Sequence, residues 1–478
     1  MGLKIANLLG VLFQMFSGVI LLYAVNNLYL IWSTRKYENT VSDVLIEFPK
    51  VSVQLPIYNE KEVVSRLIDA ISDMRWPRES FEIIILDDSD DETSRVIDEK
   101  VVQNQLDIKV LRRENRSGFK AGALQTGLLQ TEAKYIAIFD ADFLPEREFL
   151  NQVIPELERD ERIGLVQTRW GHINQGYNQL TRAISLALDW HHHIEQVGRN
   201  ASNLFINFNG SCGVIRRSAL LEAGGWSSDT LSEDLDISYR IQMRHWKAVY
   251  KEDVIVPGEV PPNINDYRDQ QQRWARGSIQ CSRMLLGRVL RSDVGLKQKI
   301  QAILHLNGYS VYLWTILLLL ISVPALILEK TTKETALNSL GVIGLIGIIS
   351  QIAIFGVLWR TKQGSSVNFC KDFLFLFITS IGLSLDCSIA VLQGLLKKGG
   401  NFLRTPKYNI ITEEMKLLKK HQIINKKVLV PEIIITAYTV IGVILAASNH
   451  SWGILTYLSL HMVGFITIIL LSIKPDLF

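Results

Sequence analysis

The stretch Tyr135-Ile136-Ala137-Ile138-Phe139-Asp140-Ala141-Asp142 decides the fold of this chain, because an apolar run leads directly to two carboxylates. Such a run is typical of a strand that is buried on both faces of a parallel sheet. The crevice of an open α/β sheet lies past the carboxyl ends of its strands, and side chains one residue apart share a strand face. We therefore predict that Asp140 and Asp142 project together into that crevice.

The two carboxylates repel each other unless a cation lies between them. Oxygen ligands suit Mg²⁺ or Mn²⁺, and Mg²⁺ normally completes its coordination shell with the phosphates of a substrate. An Asp-x-Asp pair is also common in acidic turns that follow strands, so the pair alone is weak evidence. Asp140 and Asp142 are therefore candidate metal ligands that need support from the rest of the chain.

Strand and helix patterns alternate around this stretch, from residue 48 to residue 278. Apolar runs predict strands over 51–55, 81–86 and 108–111, and helical spacing is found over 61–74 and near 121–129. Strands that alternate with helices imply right-handed crossovers, so this pattern predicts an α/β domain with a mostly parallel sheet.

The composition indicates a water-facing domain joined to membrane segments. Of the 478 residues, 48% are hydrophobic and 21% are charged, and the mean hydropathy is +0.16. The net charge of +3 is too small to indicate nucleic acid as a partner. The four cysteines are widely scattered and lack zinc spacing, which argues against a disulfide framework or a structural zinc site.

Residues 1–47 read as an N-terminal transmembrane anchor. The apolar stretch 8–32 is longer than the ~20 residues that a bilayer crossing needs. It is too long for a signal peptide and lacks a small-residue cleavage site. Arg35 and Lys36 follow it directly, so the positive-inside rule places the domain over 48–278 in the cytoplasm.

The character of the chain changes after residue 278. Residues 279–306 mix basic and apolar residues at helical spacing, which predicts helices that lie in the membrane surface. Within 307–478, the segments 308–328 and 337–359 are candidates to span the bilayer, and 430–447 and 452–473 form a second pair. The lipid bilayer is therefore an expected partner.

The apolar segment 369–396 does not fit the number of bilayer crossings that the flanking charges require. The loop that follows it, 397–427, is rich in lysine and is expected in the cytoplasm. Counted from the first anchor, Arg360 and Lys362 are already cytoplasmic, so a single crossing by 369–396 does not fit. We predict an interfacial or re-entrant segment. The alternative is a sixth full crossing, which would place the basic loop outside.

Further polar groups accompany the aspartate pair. Pro56-Ile57-Tyr58-Asn59-Glu60 follows the first strand and could hold a nucleotide base, and Asp88 after the second could bind a ribose or a base edge. Ser232-Glu233-Asp234 has the pattern of a helix N-cap followed by acids in the first turn. Gln270-Gln271-Gln272-Arg273-Trp274 precedes the membrane segments. Each group taken alone also has a purely structural interpretation. In the order given, these are a turn before a helix, a solvated acidic turn, a simple helix cap and an amphipathic surface helix.

In this order after an anchor helix, the polar groups resemble the motifs of the membrane-integrated family 2 glycosyltransferases, which include cellulose, hyaluronan, chitin and mannan synthases. The matching groups are Asp88, Asp140-Ala141-Asp142, Ser232-Glu233-Asp234 and Gln270-x-x-Arg273-Trp274. Lys120-Ala121-Gly122-Ala123-Leu124 also matches, and Phe402-Leu403-Arg404-Thr405-Pro406-Lys407 resembles the gating loop that folds over the nucleotide in this family.

The branch of the family is indicated by three more stretches. Val166-Gln167-Thr168-Arg169-Trp170, Phe208-Asn209-Gly210 and Glu222-Ala223-Gly224-Gly225-Trp226 are most similar to the mannan and glucomannan synthases. Two positions depart from the family pattern: Gln125 stands where Asn is frequent, and Ser232 replaces the commoner Thr. Neither position touches the expected proton transfer, although Gln125 puts one contact to the donor in doubt.

The resemblance implies a GT-A-type domain over 48–278, inserted between the N-terminal helix and a C-terminal helical membrane domain. It implies that Asp234 is the base that takes the proton of the acceptor hydroxyl, with Glu233 beside it, and that transfer inverts the anomeric carbon. Arg273 would stabilise the leaving diphosphate. Trp274 would offer its ring face to the acceptor sugar, and Gln270 belongs to the same motif.

The donor site is implied by residues at the strand ends and in the gating loop. These are Pro56, Tyr58, Glu60, Asp88, Lys120, Asp140, Arg404 and Lys407. Mg²⁺ or Mn²⁺ on Asp140 and Asp142 would act as a Lewis acid toward the diphosphate.

Our leading hypothesis is a processive β-glycosyltransferase that elongates a hexose polymer and passes it into a channel between the membrane helices. UDP-glucose is the first expected donor on the breadth of the family, and GDP-mannose or GDP-glucose comes next. Transfer of one sugar to a membrane lipid is the first alternative. A non-catalytic export channel is the second, and the intact acidic positions argue against it. The sequence leaves the oligomeric state open.

The run His191-His192-His193 suggests a metal site at first sight. Consecutive residues of a helix point about 100° apart, so the three imidazoles cannot share one ion. We expect them to line an acceptor groove or to pack beneath it.

Overall fold

The structure is a computed structural model that describes residues 2–38, 47–103, 107–329, 339–361, 366–397, 399–400, 404–410 and 429–474. A seven-stranded mixed sheet forms the centre of the water-facing domain, with the strand order β3-β2-β1-β4-β6-β5-β7. The strands are β1 (Val51–Ile57), β2 (Phe81–Asp87), β3 (Ile108–Arg112), β4 (Tyr135–Ile138), β5 (Ile163–His172), β6 (Gly213–Arg216) and β7 (Lys247–Gly258).

The sheet is mostly parallel, as predicted. β1 pairs in parallel with both β2 and β4, and β5 pairs in parallel with β7. β6 lies between β4 and β5 and is antiparallel to both. Because β6 reverses direction, β5 and β7 run the same way as β1, and the carboxyl ends of β1, β2, β4, β5 and β7 meet along one edge.

Strand β4 is buried on both faces, which confirms the interpretation of its apolar run. Tyr135 and Ala137 belong to the core on one side of the sheet. Ile136 and Ile138 belong to the core on the other side. All four side chains are fully inaccessible to solvent. The strand is therefore rigid where it delivers the chain to Asp140 and Asp142.

Helices cover both faces of this sheet. One face packs against α2 (Val64–Ser72), α3 (Thr93–Gln103) and α5 (Phe149–Arg159), and the other against α4 (Phe119–Leu129), α8 (Arg217–Glu222) and α9 (Glu233–Met243). Two further helices follow β5: α6 (Gln179–Trp190), which packs against the apolar helices of the C-terminal part, and α7 (Val197–Ala201). A π-helical turn, His191–Gln196, joins α6 to α7.

The domain leads into the membrane part through one long helix, α10 (Ile264–Arg291), followed by α11 (Leu296–Leu306). The sequence analysis divides the chain at residue 278, where the composition changes. In the structure α10 runs through this position without a break, because the apolar spacing continues across it. The side chains at the active site and those near the membrane helices therefore stand on one rigid element.

The remaining helices are apolar. They are α1 (Gly2–Thr34), α12 (Ser310–Glu329), α13 (Ser339–Thr361), α14 (Ser366–Gly382), α15 (Ser384–Leu396), α16 (Val430–Ser448) and α17 (Trp452–Ile473). Within the described residues, the stretches Asn7–Thr34, Ser310–Leu328, Val430–Ser448 and Trp452–Ile473 are long and apolar enough to cross a bilayer. These four match the expected spans 8–32, 308–328, 430–447 and 452–473.

The apolar segment 369–396 forms most of α14 and α15, which meet at a bend of 46°. This bend fits either a broken span or a re-entrant loop, so the predicted interfacial or re-entrant placement of 369–396 stays a prediction. Most of the basic loop 397–427 lies outside the described residues, as do most of the residues between the spanning candidates 308–328 and 337–359.

Candidate active site

One cavity opens at the edge where the carboxyl ends of the parallel strands meet. Every residue that the sequence analysis assigns to donor binding, catalysis or metal lines it: Pro56, Tyr58, Glu60, Asp88, Lys120, Asp140, Asp142, Glu233, Asp234, Gln270, Arg273, Trp274, Arg404 and Lys407. The chain positions of these residues span about 350 places, so the fold brings together groups that are distant in sequence. Their individual roles remain predictions.

Asp140 and Asp142 reach the cavity from a turn and not from a strand face. β4 ends at Ile138, and the amide of Phe143 donates to the carbonyl of Asp140 at 3.1 Å, which closes a turn. The expected geometry of alternate residues on one strand is therefore wrong. The two side chains still meet the same cavity, because the turn folds back across the sheet edge.

The two aspartates have different surroundings. Lys120 Nζ donates to Asp140 Oδ1 at 2.5 Å, and about a third (32%) of the Asp140 side chain is exposed. Asp142 is buried, and its Oδ2 accepts from Lys407 Nζ at 2.7 Å and from the amide of Glu259 at 3.0 Å. Burial opposes ionisation of Asp142, but the Lys407 ammonium and the Glu259 amide outweigh it and lower the pKa of this carboxyl.

Lys120 connects the aspartate turn to the acidic helix. Burial favours the neutral amine, yet the carboxylates of Asp140 and Glu233 raise the pKa of Lys120 above its ordinary value. Its Nζ also donates to the carbonyl of Gly210 at 2.9 Å and lies 3.9 Å from Glu233 Oε1. A cationic group is thus fixed between Asp140 and the start of α9.

Glu233 and Asp234 occupy the first turn of α9. Ser232 stands at the N-cap position but makes no side-chain capping bond there, so the simple capping interpretation does not explain this motif. Burial raises the pKa of Asp234, and Lys120 only partly offsets it. Burial and the neighbouring Asp234 also raise the pKa of Glu233. These carboxyl groups therefore hold protons more tightly than exposed acids do.

Gly210 allows the loop before β6 to approach this pair. Its φ is +81°, a conformation that side chains disfavour, and a Cβ here would lie 3.0 Å from Asp234 Oδ2 and 3.3 Å from Lys120 Nζ. A larger residue in place of Gly210 would therefore clash with Asp234 and Lys120.

The β1–β2 end of the cavity contains an aromatic and a basic platform. The guanidinium of Arg116 lies 3.1 Å from the ring centroid of Tyr58. Asp88 is held by Arg113, whose Nε donates to Asp88 Oδ1 at 2.9 Å. Neither arginine is among the residues expected from the sequence. Arg113 directly follows β3, and this position and the basic composition of residues 112–116 are the signals that could have found the two side chains.

The described part of the gating-type loop, residues 404–410, folds over this end of the cavity. Arg404 donates to the carbonyls of Tyr58 and Asn59 at 3.0 and 2.7 Å, and it also pairs with Glu60. Burial raises the pKa of Glu60 to about 7, although Arg404 opposes the shift. Phe402 and Leu403, which belong to the same predicted motif, lie outside the described residues.

Glu259 anchors the same segment and was also missed by the sequence analysis. Its Oε2 accepts from the amides of Tyr408 at 3.0 Å and Asn409 at 3.3 Å, and its Oε1 accepts from Arg66 at 2.7 Å. Glu259 follows β7 directly. Asp88 was selected from its place after the predicted strand β2, but β7 was not predicted, so the same argument did not reach Glu259.

Helix α10 presents one face to the cavity and another to the membrane helices. Gln270, Arg273 and Trp274 line the cavity. On the other face, Arg268 donates to Asp386 of α15 at 2.8 Å and pairs with Glu432 of α16, and Gln272 donates to Asp386 at 2.6 Å. The helix that carries Gln270, Arg273 and Trp274 is thus connected to the membrane part through buried charges.

The three consecutive histidines have separate partners, as their angular spacing requires. His191 bonds Glu195 at 2.8 Å and Asn209 at 3.2 Å, and His192 bonds the Tyr250 hydroxyl at 3.0 Å. His193 bonds Arg169 at 2.8 Å and also pairs with Glu252. Within the described residues, no group of three or more His, Cys, Asp or Glu is arranged to hold a metal ion by itself.

The residues around Asp140 and Asp142 nonetheless fit a divalent cation that shares its ligands with a substrate. Both carboxylates line the cavity, and Asp140 exposes part of its side chain to it. Mg²⁺ typically takes one or two carboxylates and completes its shell with phosphate oxygens, so a larger cluster of protein ligands is not required.

Proteins of known family have sequences similar to this chain. The glycosyl transferase family group 2 profile matches residues 135–350. Glucomannan 4-beta-mannosyltransferase 7 of Arabidopsis thaliana is 37% identical over 289 residues, which are 58% of this chain and 52% of the relative. Glucomannan 4-beta-mannosyltransferase 1 of Oryza sativa subsp. japonica is 39% identical over 264 residues, or 54% and 51% of the two chains. The chain spans about half the length of these relatives.

A solved structure shares the fold. The mannosyltransferase from Pyrobaculum calidifontis, in complex with GDP-mannose and Mn²⁺, aligns over 80% of this chain and 99% of its own, with a TM-score of 0.55 and 19% identity. The mostly parallel mixed sheet of this chain is therefore of the GT-A type, as the resemblance implied. The profile match over residues 135–350 therefore shows that this chain carries a family 2 glycosyltransferase domain.

Proposed function

We propose that this protein is an inverting β-mannosyltransferase that transfers mannose from GDP-mannose to the end of a growing β-linked glycan. The observation that carries the proposal is the single cavity that holds Asp234, Lys120 and the Asp140/Asp142 turn beside Trp274 of α10. The names of the two glucomannan 4-beta-mannosyltransferase relatives support the choice of sugar and linkage type.

The proposed chemistry needs a base on the acceptor and charge stabilisation on the leaving group. Asp234 takes the proton of the acceptor hydroxyl as its oxygen bonds to the anomeric carbon. The bond from that carbon to the diphosphate breaks on the opposite face, and the diphosphate leaves with the electron pair, so the configuration inverts. Lys120 and Arg273 place positive charge in the same cavity, where the charge on the diphosphate develops.

Asp140 and Asp142 would hold Mg²⁺ or Mn²⁺ in the loaded enzyme. The ion would supply Lewis-acid stabilisation of the diphosphate. Lys120 and Lys407 now bind these carboxylates and would rearrange toward phosphate oxygens once the ion and the donor are present.

The donor assignment revises the expectation from the sequence. UDP-glucose stood first on the breadth of the family, but the relatives give this preference no support, since they are mannosyltransferases. GDP-mannose, the next candidate, agrees with their names and with the ligand of the archaeal structure that shares the fold.

The position of Trp274 supports a glycan polymer as the acceptor. Trp274 lines the cavity on the same helix that contacts α15 and α16 through Arg268, so a glycan end at Trp274 lies close to the membrane helices. We propose a multi-pass membrane protein whose catalytic domain lies in the cytoplasm and whose product enters a passage between these helices. The side of the bilayer that exposes a tag near Lys420 tests this topology.

The decisive experiment incubates the purified full chain with Mn²⁺ and GDP-mannose, GDP-glucose or UDP-glucose in parallel. We expect release of free GDP from GDP-mannose and incorporation of mannose into product. A preference for UDP-glucose would contradict the donor assignment.

The same reaction separates the rival functions by product length. A ladder of oligomers supports a polymerase, whereas a single mannosylated lipid supports the glycolipid synthase. A non-catalytic export channel releases no nucleoside diphosphate from any donor, and that outcome would remove the enzymatic proposal as a whole.

A further inference from the structure

The cavity extends beyond the proposed donor site toward the opposite edge of the sheet. Tyr58 and Asp88 follow β1 and β2 on one side of β4, whereas His172 ends β5 and Val260 follows β7 on the other side. The Asp140 turn follows β4 between these groups. The end that contains His172 is therefore separated from the nucleotide end by the width of several strands.

This far end faces the membrane helices. Leu188 of α6 and Val260 line the cavity. They also pack in the apolar cluster that contains Phe375 of α14 and Ile468 of α17. Under the proposed function, the glycan acceptor extends from Asp234 along the cavity toward this end.

His172 is the titratable side chain that lines this far end from β5. Its imidazole is only 5% exposed, and its Nε2 lies 3.0 Å from Asp189 Oδ1, which is itself 8% exposed. The bond to Asp189 fixes the ring orientation and leaves Nδ1 as the nitrogen that can meet a ligand. Among the residues that the structure describes, His172 has hydrogen-bond contact through its side chain only with Asp189.

We propose that His172, positioned by Asp189, hydrogen-bonds a hydroxyl of the acceptor glycan on the membrane side of the reacting sugar. This inference rests on the proposed function and deepens it, because it assigns acceptor recognition to a residue outside the Gln270-x-x-Arg273-Trp274 motif. Asp189 stands on α6 outside the cavity lining, so it acts through the imidazole and is a positioning residue.

The test compares His172→Phe with Asp189→Asn in the full chain. We expect His172→Phe to raise the acceptor KM for β-1,4-linked mannotetraose about tenfold, as the loss of one buried hydrogen bond would. The donor KM and the slow hydrolysis of GDP-mannose without acceptor should stay unchanged. Asp189→Asn should raise the acceptor KM less, and His172→Gln should recover part of the loss because it retains a hydrogen-bonding side chain.

His192→Phe is the matched control. It removes a buried imidazole of the same domain that does not line the cavity. If it raises the acceptor KM as much as His172→Phe does, or if His172→Phe changes the donor and acceptor KM equally, the effect is a general disturbance and the inference is wrong.

Equilibrium binding of mannotetraose, measured by calorimetry, makes the inference independent of turnover. Binding that weakens about tenfold in His172→Phe supports it even if the wild-type chain transfers no mannose, a result that would contradict only the proposed function. Absence of mannotetraose binding to the wild-type chain, or equal binding by the wild type and His172→Phe, would overturn it.

Discussion

Asp234 is the residue on which the proposed chemistry depends most. Its carboxyl group is half-buried beside the buried Glu233 at the start of α9, close to the Lys120 ammonium. A carboxyl group in such a place holds its proton more tightly than a solvated one does, and it becomes a stronger base once ionised. Two consequences can be measured.

Replacing Asp234 by Asn should remove the base without changing the size of the side chain. We expect the transfer rate to fall by about 10² to 10⁴, because a positioned base contributes that much, while the affinity for the donor stays within about twofold. Rates of product formation and donor binding by calorimetry check this. Transfer at the wild-type rate would remove Asp234 from the mechanism.

The pH dependence should follow the raised pKa of Asp234. The base must be ionised to accept a proton, so kcat/KM should fall as the pH drops through this pKa. Burial raises that value above the ordinary 3.8, and the acid limb of the profile should therefore lie at a higher pH than an exposed aspartate would give. A profile that stays flat down to pH 4 would contradict the assignment.

At the scale of elements, strands proved easier to predict than the loops that form the site. The four strands found in the sequence consist mainly of apolar residues, with at most two polar residues in each predicted range, and all four are present. β5, β6 and β7 escaped notice, because β6 has only four residues and polar side chains interrupt β5 and β7. Apolar spacing indicates burial and does not reveal a partner strand that is distant in sequence.

The site residues also divide into those that the sequence predicts and those that it does not. Motifs placed the donor, catalytic and metal candidates around one cavity, although the reason given for the aspartate pair was wrong. The supporting residues Arg113, Arg116 and Glu259 were missed, since they act on partners from other elements. Only the folded chain reveals such pairs, because no local pattern encodes them.

Glu259 offers a test of the segment 404–410 as an element. Glu259→Gln keeps the backbone amide that donates to Asp142 but removes the charge that pairs with Arg66 and accepts from the amides of Tyr408 and Asn409. We expect the donor KM to rise about tenfold, since charge-assisted hydrogen bonds hold this segment over the cavity.

Glu99→Gln is the control for this change. Glu99 belongs to an exposed ion pair with Arg95 on α3, away from the cavity, and should leave the donor KM unchanged. A Glu259→Gln variant with the wild-type donor KM would mean that the segment needs no anchor at this position.

At the scale of the whole molecule, Arg268 connects the two parts of the chain. Its guanidinium is 3% exposed and bonds Asp386 of α15 and Glu432 of α16, which are both 5% exposed. Ser472 of α17 accepts a further bond from Arg268 at 3.2 Å. One side chain of α10 thus reaches three membrane helices.

Arg268→Met should destabilise the protein strongly, because two buried carboxylates lose their cation. Breaking a buried ion pair from one side costs about 3–5 kcal/mol. We expect a clear loss of thermal stability in detergent, measured by the unfolding midpoint. Arg95→Met, which removes an arginine that is 68% exposed, should change stability by less than about 1 kcal/mol. Equal midpoints for the two variants would contradict a structural role of Arg268.

Arg268 and Trp274 lie on the same uninterrupted helix, α10, which fixes the angle between their side chains about the helix axis. Each residue of an α-helix turns the chain by about 100°, so one residue inserted between Arg268 and Trp274 would swing the indole away from Asp234 while the guanidinium kept its place. The number of residues between Arg268 and Trp274 therefore sets the direction from which the indole enters the cavity, measured from the helices that hold the guanidinium.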